Sequence, residues 1–301
     1  MFPAYFSGFA DEAGSALDTQ IKVTKELGWS AIEMRNVDVP GFPGANLHDI
    51  PDAAFDIVAA SLDAAAIRVN SLGSAIANGA KDIRKPFECR AAAVRAASRA
   101  RRLGAEVIRV MSYPIGDPND LHEEERFRRL REIVSIFADS GTTVVHENCS
   151  NYGGMGADYT LRLLEQVPGM KLVFDMGNCV GDIDFTKPAP HPRQDAWEFY
   201  RAVRDHIVYI HIKDACWNEA TRQKQHVFPG DGQGHVREII ADLLATDYQG
   251  GFSIEPHMHA GLPAEFGFTE AQNCYRTYVE YGRRLEHLVA QITAACPQLV
   301  G

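Results

Sequence analysis

The sequence predicts a parallel (β/α)8 TIM barrel, formed as a single domain over residues 1–301 with C-terminal helices at about 268–296. Short apolar or β-branched runs recur eight times, helical patterns separate them, and no G-x-G-x-x-G turn follows the first run. Parallel neighbours need a crossover connection, which a helix supplies. The alternative is a doubly wound open sheet, but a dinucleotide-binding sheet would show the glycine turn, and the count of eight favours the barrel.

The predicted strands are short runs, each bounded by polar or turn-forming residues, as expected for strands that a barrel buries on both faces. They cover residues 4–9, 31–34, 67–72, 107–111, 143–147, 171–175, 207–214 and 252–256.

The intervening segments have helical patterns. The first helix has Asp18 as a suitable N-cap and ends at Gly28. The stretch 84–104 is rich in alanine and arginine, which gives it strong helix propensity, and its arginines face solvent. Long Gly- and Pro-rich loops follow the sixth and seventh strands. Loops on the C-terminal side of barrel strands are where sites are built, so we expect the site there.

Composition excludes several classes of protein. The chain has 301 residues, 46% of them hydrophobic, and a formal net charge of -10, which repels nucleic-acid backbones. We find no run of about 20 apolar residues and no basic-then-apolar leader, so neither a membrane-spanning nor a secreted protein is expected. None of the six cysteines forms a C-x-x-C pair, which is typical of reduced thiols in a cytoplasmic protein.

Four predicted strands in succession, the fifth to the eighth, end on an acidic or imidazole side chain. The runs before these positions are apolar, so the polar residue interrupts each pattern at its end. The C-terminal ends of barrel strands are neighbours around one rim, and we expect these side chains to converge. A single acid at a strand end is commonly a helix cap or a solvated loop residue, but four in succession predict a site. The residues are Glu147, Asp175, His211 and Glu255.

The predicted site needs a cation, because three carboxylates brought together repel one another and are costly to bury. Three oxygen donors and one nitrogen donor, with room for water or substrate oxygens, suit Mn²⁺ or Mg²⁺. A structural Zn²⁺ site prefers cysteine and histidine. We therefore expect a divalent metal cofactor, with Mn²⁺ first and Mg²⁺, Co²⁺ or Zn²⁺ as alternatives.

Motifs at these strand ends make the chain similar to the xylose-isomerase-like TIM-barrel superfamily, the sugar phosphate isomerase/epimerase group. The resemblance covers most of the chain, and the pair of motifs around the seventh strand is fairly specific. The motifs are "LGWSAIEMR" near the start, "HEN" on the fifth strand, "FDMGN" on the sixth, "HIKD" and "PGDGQGHV" around the seventh and "IEP" on the eighth.

The resemblance implies that Glu147, Asp175, His211 and Glu255 bind the metal. It also implies that Glu147 and Glu255 lie on opposite faces of a bound sugar and exchange protons with it. The expected function is a metal-dependent isomerase or epimerase that acts on a ketose or keto-sugar derivative through an enediolate. A dehydratase or lyase on the same site is the alternative, of the inosose dehydratase type or cleaving a keto-glycoside. One departure weakens the epimerase match, since ketose epimerases of the family often have histidine where this chain has Asn178.

Further residues are candidates for binding substrate because they are ionisable or polar and lie in or beside the strand ends. Arg109 could instead pair with a carboxylate, and Lys213 could be a solvated rim lysine. Strand alternation points His146 away from the site, and the role of His226 stays open. The candidates are Glu33, Arg109, Asn178, Lys213, Asp214, Arg222 and His257.

The expected partner is a small sugar or keto-sugar, with no nucleic acid and no membrane. A DNA-repair endonuclease, another relative of the superfamily, would need more histidine ligands and a basic groove. We expect a homo-oligomer, although the tyrosines of the C-terminal helical stretch could form a contact surface or cover the barrel bottom instead. They are Tyr275, Tyr278 and Tyr281.

Overall fold

Eight parallel strands lie side by side in chain order and form the barrel in this computed structural model, which describes residues 5–78, 82–246, 248–258 and 267–295. A bridge between Phe9 and Glu33 joins the first barrel strand to the second, so the sheet is nearly closed. In chain order the described strands are β1 (Phe6–Gly8), β2 (Ala31–Met34), β3 (Asn36–Val37), β4 (Ala45–Asn46), β5 (Arg68–Gly73), β6 (Val107–Val110), β7 (Thr143–Glu147), β8 (Lys171–Asp175), β9 (Ile207–Ile212), β10 (Asp214–Asn218), β11 (Gln223–Val227) and β12 (Phe252–Ile254).

Helices follow the barrel strands and cover the outside of the sheet. The C-terminal helix packs against both the first and the seventh helix, and so completes the ring around the barrel. No helix in the described part of the chain is long and apolar enough to cross a membrane. The helices are α1 (Leu17–Glu26), α2 (Asp52–Ala64), α3 (Cys89–Leu103), α4 (Glu123–Phe137), α5 (Ala157–Gln166), α6 (Ala196–Val203), α7 (Val236–Ala245) and α8 (Glu270–Ala295).

The predicted (β/α)8 barrel is confirmed, and the predicted strands differ from the observed ones mainly at their ends. Of the first strand, Ala4 lies outside the described residues. The seventh predicted strand, 207–214, was too long: β9 ends at Ile212, and the chain turns at Lys213 into the antiparallel hairpin β10–β11. That hairpin occupies a segment for which we predicted only a loop. The segment is polar because this strand pair covers the barrel mouth and does not enter the core, so it lacks the apolar pattern by which we predicted the other strands.

The tyrosines of α8 do not form an exposed surface. Tyr278 and Tyr281 are buried in the core, and the Tyr281 ring packs against Phe228 with centroids 5.9 Å apart. Tyr275 is partly exposed and donates its hydroxyl hydrogen bond to Glu26 at 2.5 Å. These three tyrosines therefore pack α8 against the rest of the barrel. Predicted helix residue Cys296 lies outside the described residues.

The barrel interior changes from apolar to ionisable along the strands. Side chains two residues apart point to the same face of a strand, so each interior position fixes the next. Val107, Val145, Val173 and Tyr209 form a buried apolar cluster of their own. Two residues further along the same strands come Arg109, Glu147, Asp175 and His211, which are also buried. Strand alternation thus carries four functional candidates into the upper barrel.

One buried arginine fixes the chain between β6 and α4. Arg126 is 1% exposed and donates hydrogen bonds to the carbonyl oxygens of Ser112, Tyr113 at 2.9 Å and Leu121 at 3.0 Å. Its guanidinium also lies over the Tyr152 ring, with 5.2 Å between the guanidinium carbon and the ring centroid. Burial lowers the pKa of Arg126 to about 10, which still leaves it charged at neutral pH.

Replacing this arginine should destabilise the protein. Arg126→Met removes the guanidinium that donates to the carbonyl oxygens of Ser112, Tyr113 and Leu121, and we expect the free energy of unfolding to fall by about 2–4 kcal/mol. Urea denaturation followed by circular dichroism measures it. The control is Arg128→Met on the solvent side of the same helix, where the arginine pairs with exposed glutamates. An equal, small effect of both substitutions would contradict the role given to Arg126.

Candidate metal centre and active site

Three carboxylates and one imidazole meet where β7, β8, β9 and β12 end. Glu147 and Asp175 are the last residues of their strands, His211 is the last but one of β9, and Glu255 directly follows β12. All four are buried, and their ligand atoms lie within 4.8 Å of one another. His211 Nδ1 is 3.8 Å from Glu147 Oε2, 3.9 Å from Asp175 Oδ2 and 3.9 Å from Glu255 Oε2. The structure therefore brings the four strand-end residues together.

This donor set fits a divalent cation. His211 Nδ1 is buried and makes no hydrogen bond, although three carboxylate oxygens lie around it. Ligand atoms about 2.1 Å from an octahedral ion are separated by about 3.0 Å when adjacent and about 4.2 Å when opposite. The distances from Nδ1 to the three oxygens, 3.8 to 3.9 Å, lie between these two separations, so the side chains would move closer together around a bound ion. Carboxylate oxygens are ordinary ligands of Mn²⁺ and Mg²⁺, and an imidazole nitrogen is an ordinary ligand of transition-metal ions.

Glu33 lies on the other side of the His211 ring. It is completely buried, and its Oε2 is 3.2 Å from His211 Nε2. Ser71 and Ser253 each donate a hydroxyl hydrogen bond to the Glu33 carboxylate at 2.6 Å. Burial alone would raise the pKa of Glu33, but His211 and the two serines lower it. The ionised carboxylate holds a proton on Nε2 and leaves Nδ1 facing the three other carboxylates.

The charge of His211 follows from the same neighbours. Burial alone would lower the pKa of His211, but Glu33 and Glu147 raise it to about 10. For Asp175, burial and the repulsion from Glu147 and Glu255 together raise the pKa to about 6, and the positive charge of Lys213 offsets them only in part. A cation bound among these groups would take the place of the second imidazole proton and keep Asp175 ionised.

Three basic side chains are paired with the glutamates and with Asp175. Arg109 Nη1 is 2.6 Å from Glu147 Oε2, so the predicted pairing of Arg109 with a carboxylate is what the structure contains. Lys213 Nζ is 2.9 Å from Asp175 Oδ2 and 2.8 Å from Glu255 Oε2, and it is buried, not a solvated rim lysine. Asn178 donates from Nδ2 to Glu147 Oε1 at 2.8 Å.

The third basic side chain, Arg35, was missed in the sequence, together with its partners Asp11 and Glu12. Arg35 Nη1 is 2.8 Å from Glu255 Oε1, and the same guanidinium contacts Asp11 at 2.9 Å and Glu12 at 3.3 Å. His257 Nδ1 is 3.0 Å from Glu12 Oε1 and its Nε2 is 3.5 Å from Glu255 Oε1. The signal was present, since Arg35 directly follows β2 and the two acids closely follow β1.

The remaining candidate residues differ in their burial and in the groups that they contact. Asp214 is buried and accepts hydrogen bonds from backbone N–H groups of the following loop. Arg222 lies in the exposed turn between β10 and β11. His226 on β11 reaches the mouth, where its ring packs edge-on against His257 with centroids 5.3 Å apart. His146 points away, as alternation predicted, and its Nε2 lies 2.9 Å from Ser112 Oγ.

A parallel barrel with carboxylates and an imidazole at its C-terminal rim defines a TIM-barrel protein with a candidate metal centre. The chain belongs to the xylose isomerase-like TIM barrel family, whose model matches residues 21–278. The resemblance drawn from the strand-end motifs is thereby confirmed. None of the curated proteins matches the chain significantly.

Solved structures share the whole fold. A D-tagatose 3-epimerase-like protein is 16% identical, with 96% of this chain and 99% of that chain covered and a TM-score of 0.69. A probable 3-DHS dehydratase from Bacillus anthracis is 16% identical, with 94% and 98% covered and a TM-score of 0.67. A xylose isomerase-like TIM barrel protein from Mycobacterium smegmatis, in complex with magnesium, is 18% identical, with 96% and 98% covered and a TM-score of 0.64. At these identities the likeness shows the fold alone.

Removing the imidazole should remove the metal. His211→Ala deletes the imidazole nitrogen that lies 3.8 to 3.9 Å from an oxygen of each of the three carboxylates, so we expect the Mn²⁺ affinity to fall at least about 100-fold. Titration calorimetry on chelator-treated protein measures the affinity, and elemental mass spectrometry measures the metal content. His206→Ala, just before the opposite end of the same strand, is the control. Unchanged metal binding in His211→Ala would move the site elsewhere.

The contact between Glu33 and His211 yields a separate prediction. Glu33→Gln keeps the shape but removes the charge that fixes the Nε2 proton, so Mn²⁺ affinity should fall about 10–100-fold while the fold is retained. The tautomer of His211 can be followed by ¹⁵N NMR of the imidazole. Glu106→Gln changes a glutamate at the N-terminal end of the barrel, and should leave both measurements unchanged. Wild-type affinity in Glu33→Gln would show that His211 needs no such partner.

Proposed function

We propose that the chain is a divalent-metal-dependent sugar isomerase or epimerase, acting on a ketose or a keto-sugar derivative. The observation that carries the proposal is the pair of buried glutamates, Glu147 and Glu255. They come from separate strands, and each directs one oxygen toward His211 Nδ1 at 3.8 or 3.9 Å. The family and its epimerase-like structural relative support the same class.

Glu147, Asp175, His211 and Glu255 would hold the metal. Mn²⁺ is the ion we expect first, and the magnesium complex of a solved relative supports an ion with oxygen-rich coordination. When bound, the ion supplies a Lewis acid that stabilises negative charge on neighbouring substrate oxygens. Glu33 positions the imidazole, so it acts on the metal site through His211 and not on the substrate.

The two glutamates would move the proton. Burial alone would raise the pKa of each, but for Glu147 the charges of Arg109 and His211 lower it, and for Glu255 those of Lys213 and His257 do so. Both are therefore ionised at neutral pH and able to accept a proton. One glutamate removes the proton from the carbon beside the substrate carbonyl. The other returns a proton, either to the opposite face of that carbon, which gives the epimer, or to the neighbouring carbon, which gives the isomer.

Lys213 and Asn178 would assist from fixed positions. The Lys213 ammonium group lies between Asp175 and Glu255, where it can also stabilise negative charge on a substrate oxygen. Asn178 holds Glu147 Oε1 and has no ring nitrogen that could carry a proton. A cytoplasmic location and a homo-oligomer stay predictions of the sequence.

The same Asn178 contact favours a second candidate, a dehydratase or lyase. An amide in place of an imidazole leaves the proton chemistry to the two glutamates, and a β-hydroxyl or glycosyl group that leaves after deprotonation gives elimination. The probable dehydratase among the solved relatives supports this alternative.

Exchange of a substrate C–H proton tests the proposal. The Mn²⁺-loaded protein is incubated in D₂O with free ketoses and keto-sugars, and ¹H NMR follows the C–H signal beside the carbonyl. We expect exchange in the wild type and a loss of at least about 100-fold in Glu255→Gln and Glu147→Gln. Glu238→Gln, on the outer helix α7, is the control. Undiminished exchange in Glu255→Gln would refute the two-glutamate mechanism. Release of the substituent, with an unsaturated ketone seen by its absorbance, would favour the lyase.

A further inference from the structure

A negatively charged substrate would need free cationic side chains or free backbone N–H groups to bind it. In this site the chain's own carboxylates already pair with both. We infer that this site takes an uncharged polyhydroxy ketone and discriminates against its phosphorylated counterpart. This inference rests on the proposed function, because it names the substrate class of the same site. Two independent observations carry it: the pairing of the basic side chains, and the filling of a glycine-rich anion site.

The basic side chains of the site are all engaged by carboxylates. Arg109 is held by Glu147 at 2.6 Å and Lys213 by Glu255 at 2.8 Å. Arg35 contacts Glu255 with one nitrogen and an aspartate and a second glutamate with its others. Each of these three cations already has a carboxylate partner, so a phosphate group would have to draw one of them away from that partner.

The site has more negative than positive charge before any substrate enters. Six carboxylates, which we call the site carboxylates, have side chains no more than 5% exposed. They outnumber the three arginine or lysine side chains taken together with the imidazoles of His211 and His257. A divalent ion would reduce this excess. A phosphate group would increase it again or draw a cation away from a buried carboxylate, which is strongly unfavourable. The site carboxylates are Asp11, Glu12, Glu33, Glu147, Asp175 and Glu255.

The backbone anion site near the seventh strand is also filled. In TIM barrels, a phosphate is frequently bound by backbone N–H groups of the loops after the seventh and eighth strands. Here the N–H groups of Gly230, Gly232 and Gly234 each donate to the Asp214 carboxylate at 2.9 Å. The fit is close, because a Cβ atom added at Gly232 would lie 2.3 Å from Asp214 Oδ1. Asp214 therefore occupies the place that a substrate anion would otherwise take.

The neighbouring lysine on β11 offers no substitute. Lys224 Nζ lies 3.3 and 3.2 Å from the carbonyl oxygens of Gly177 and Asn178, and 3.6 Å from Asp182. In the segments outside the described ranges the sequence has one lysine, Lys81, and no arginine. Lys81→Met is therefore a useful control in the experiment below.

Matched ligand pairs test the inference. The Mn²⁺-loaded full chain is titrated by calorimetry with D-fructose and D-tagatose, with the 6-phosphate of each, with keto-glycosides, and with inorganic phosphate. We expect at least one free ketose or keto-glycoside to bind, and each 6-phosphate to bind at least about tenfold more weakly than the free sugar. We also expect inorganic phosphate not to compete. Asp214→Ala frees the glycine N–H groups, and should gain phosphate binding that the wild type lacks if circular dichroism shows it folded.

The outcomes separate this inference from the proposed function. A sugar phosphate that binds as tightly as the free sugar, or more tightly, overturns the uncharged substrate and leaves the proposed function standing. If Lys81→Met then abolishes the phosphate binding, that lysine supplies the anion ligand, and this accounts for the failure of the inference. Metal-loaded protein that binds no sugar of either kind counts against the proposed function, and the inference falls with it. The wild-type comparison decides the question even if Asp214→Ala does not fold.

Discussion

The structure depends on neutralising the carboxylates that the barrel encloses away from water. A buried carboxylate without a partner would take up a proton or destabilise the fold, and the site carboxylates are almost completely enclosed. Arg35, Arg109 and Lys213 supply part of the positive charge from β-strand ends or interior positions. The imidazole of His211 supplies more, through Glu33. The candidate metal centre is the point where this compensation by the chain's own groups is incomplete.

The barrel architecture determines where that point lies. Along β6 to β9 an apolar interior layer is followed, two residues later, by an ionisable layer. The lower layer keeps water out, which strengthens every electrostatic interaction above it. The hairpin β10–β11 then places His226 against His257 at the mouth. Strand alternation therefore determines which ionisable side chains line the site and how deeply they are buried. The segments that follow the strands determine what covers the mouth.

The sequence was sufficient for the barrel and for the four strand-end residues, because apolar runs that end on a polar residue report both strand and rim. It was insufficient to show how deeply each ionisable side chain is buried and which neighbour it pairs with. Glu33 and Arg109 were recognised as ionisable residues in apolar runs, but alternation cannot tell a substrate ligand from a residue beneath the imidazole or paired with a neighbour. Arg35 was missed because it follows the strand's apolar run, where a solvated side chain is the ordinary expectation. Only the packing of three strand ends reveals its contacts with Glu255 and Asp11.

The two glutamates of the proposed reaction have different surroundings. Glu147 is fixed by Arg109 and Asn178, and neither partner exchanges a proton near neutral pH. Glu255 contacts Lys213 and Arg35, but its Oε1 also lies 3.5 Å from His257, whose side chain is one-third exposed. Burial alone would lower the pKa of His257, but its contacts with Glu12 and Glu255 raise it. In the proposed reaction, a proton that leaves for solvent would therefore pass from Glu255 by way of His257, whereas a proton taken up by Glu147 would be kept for return to the substrate.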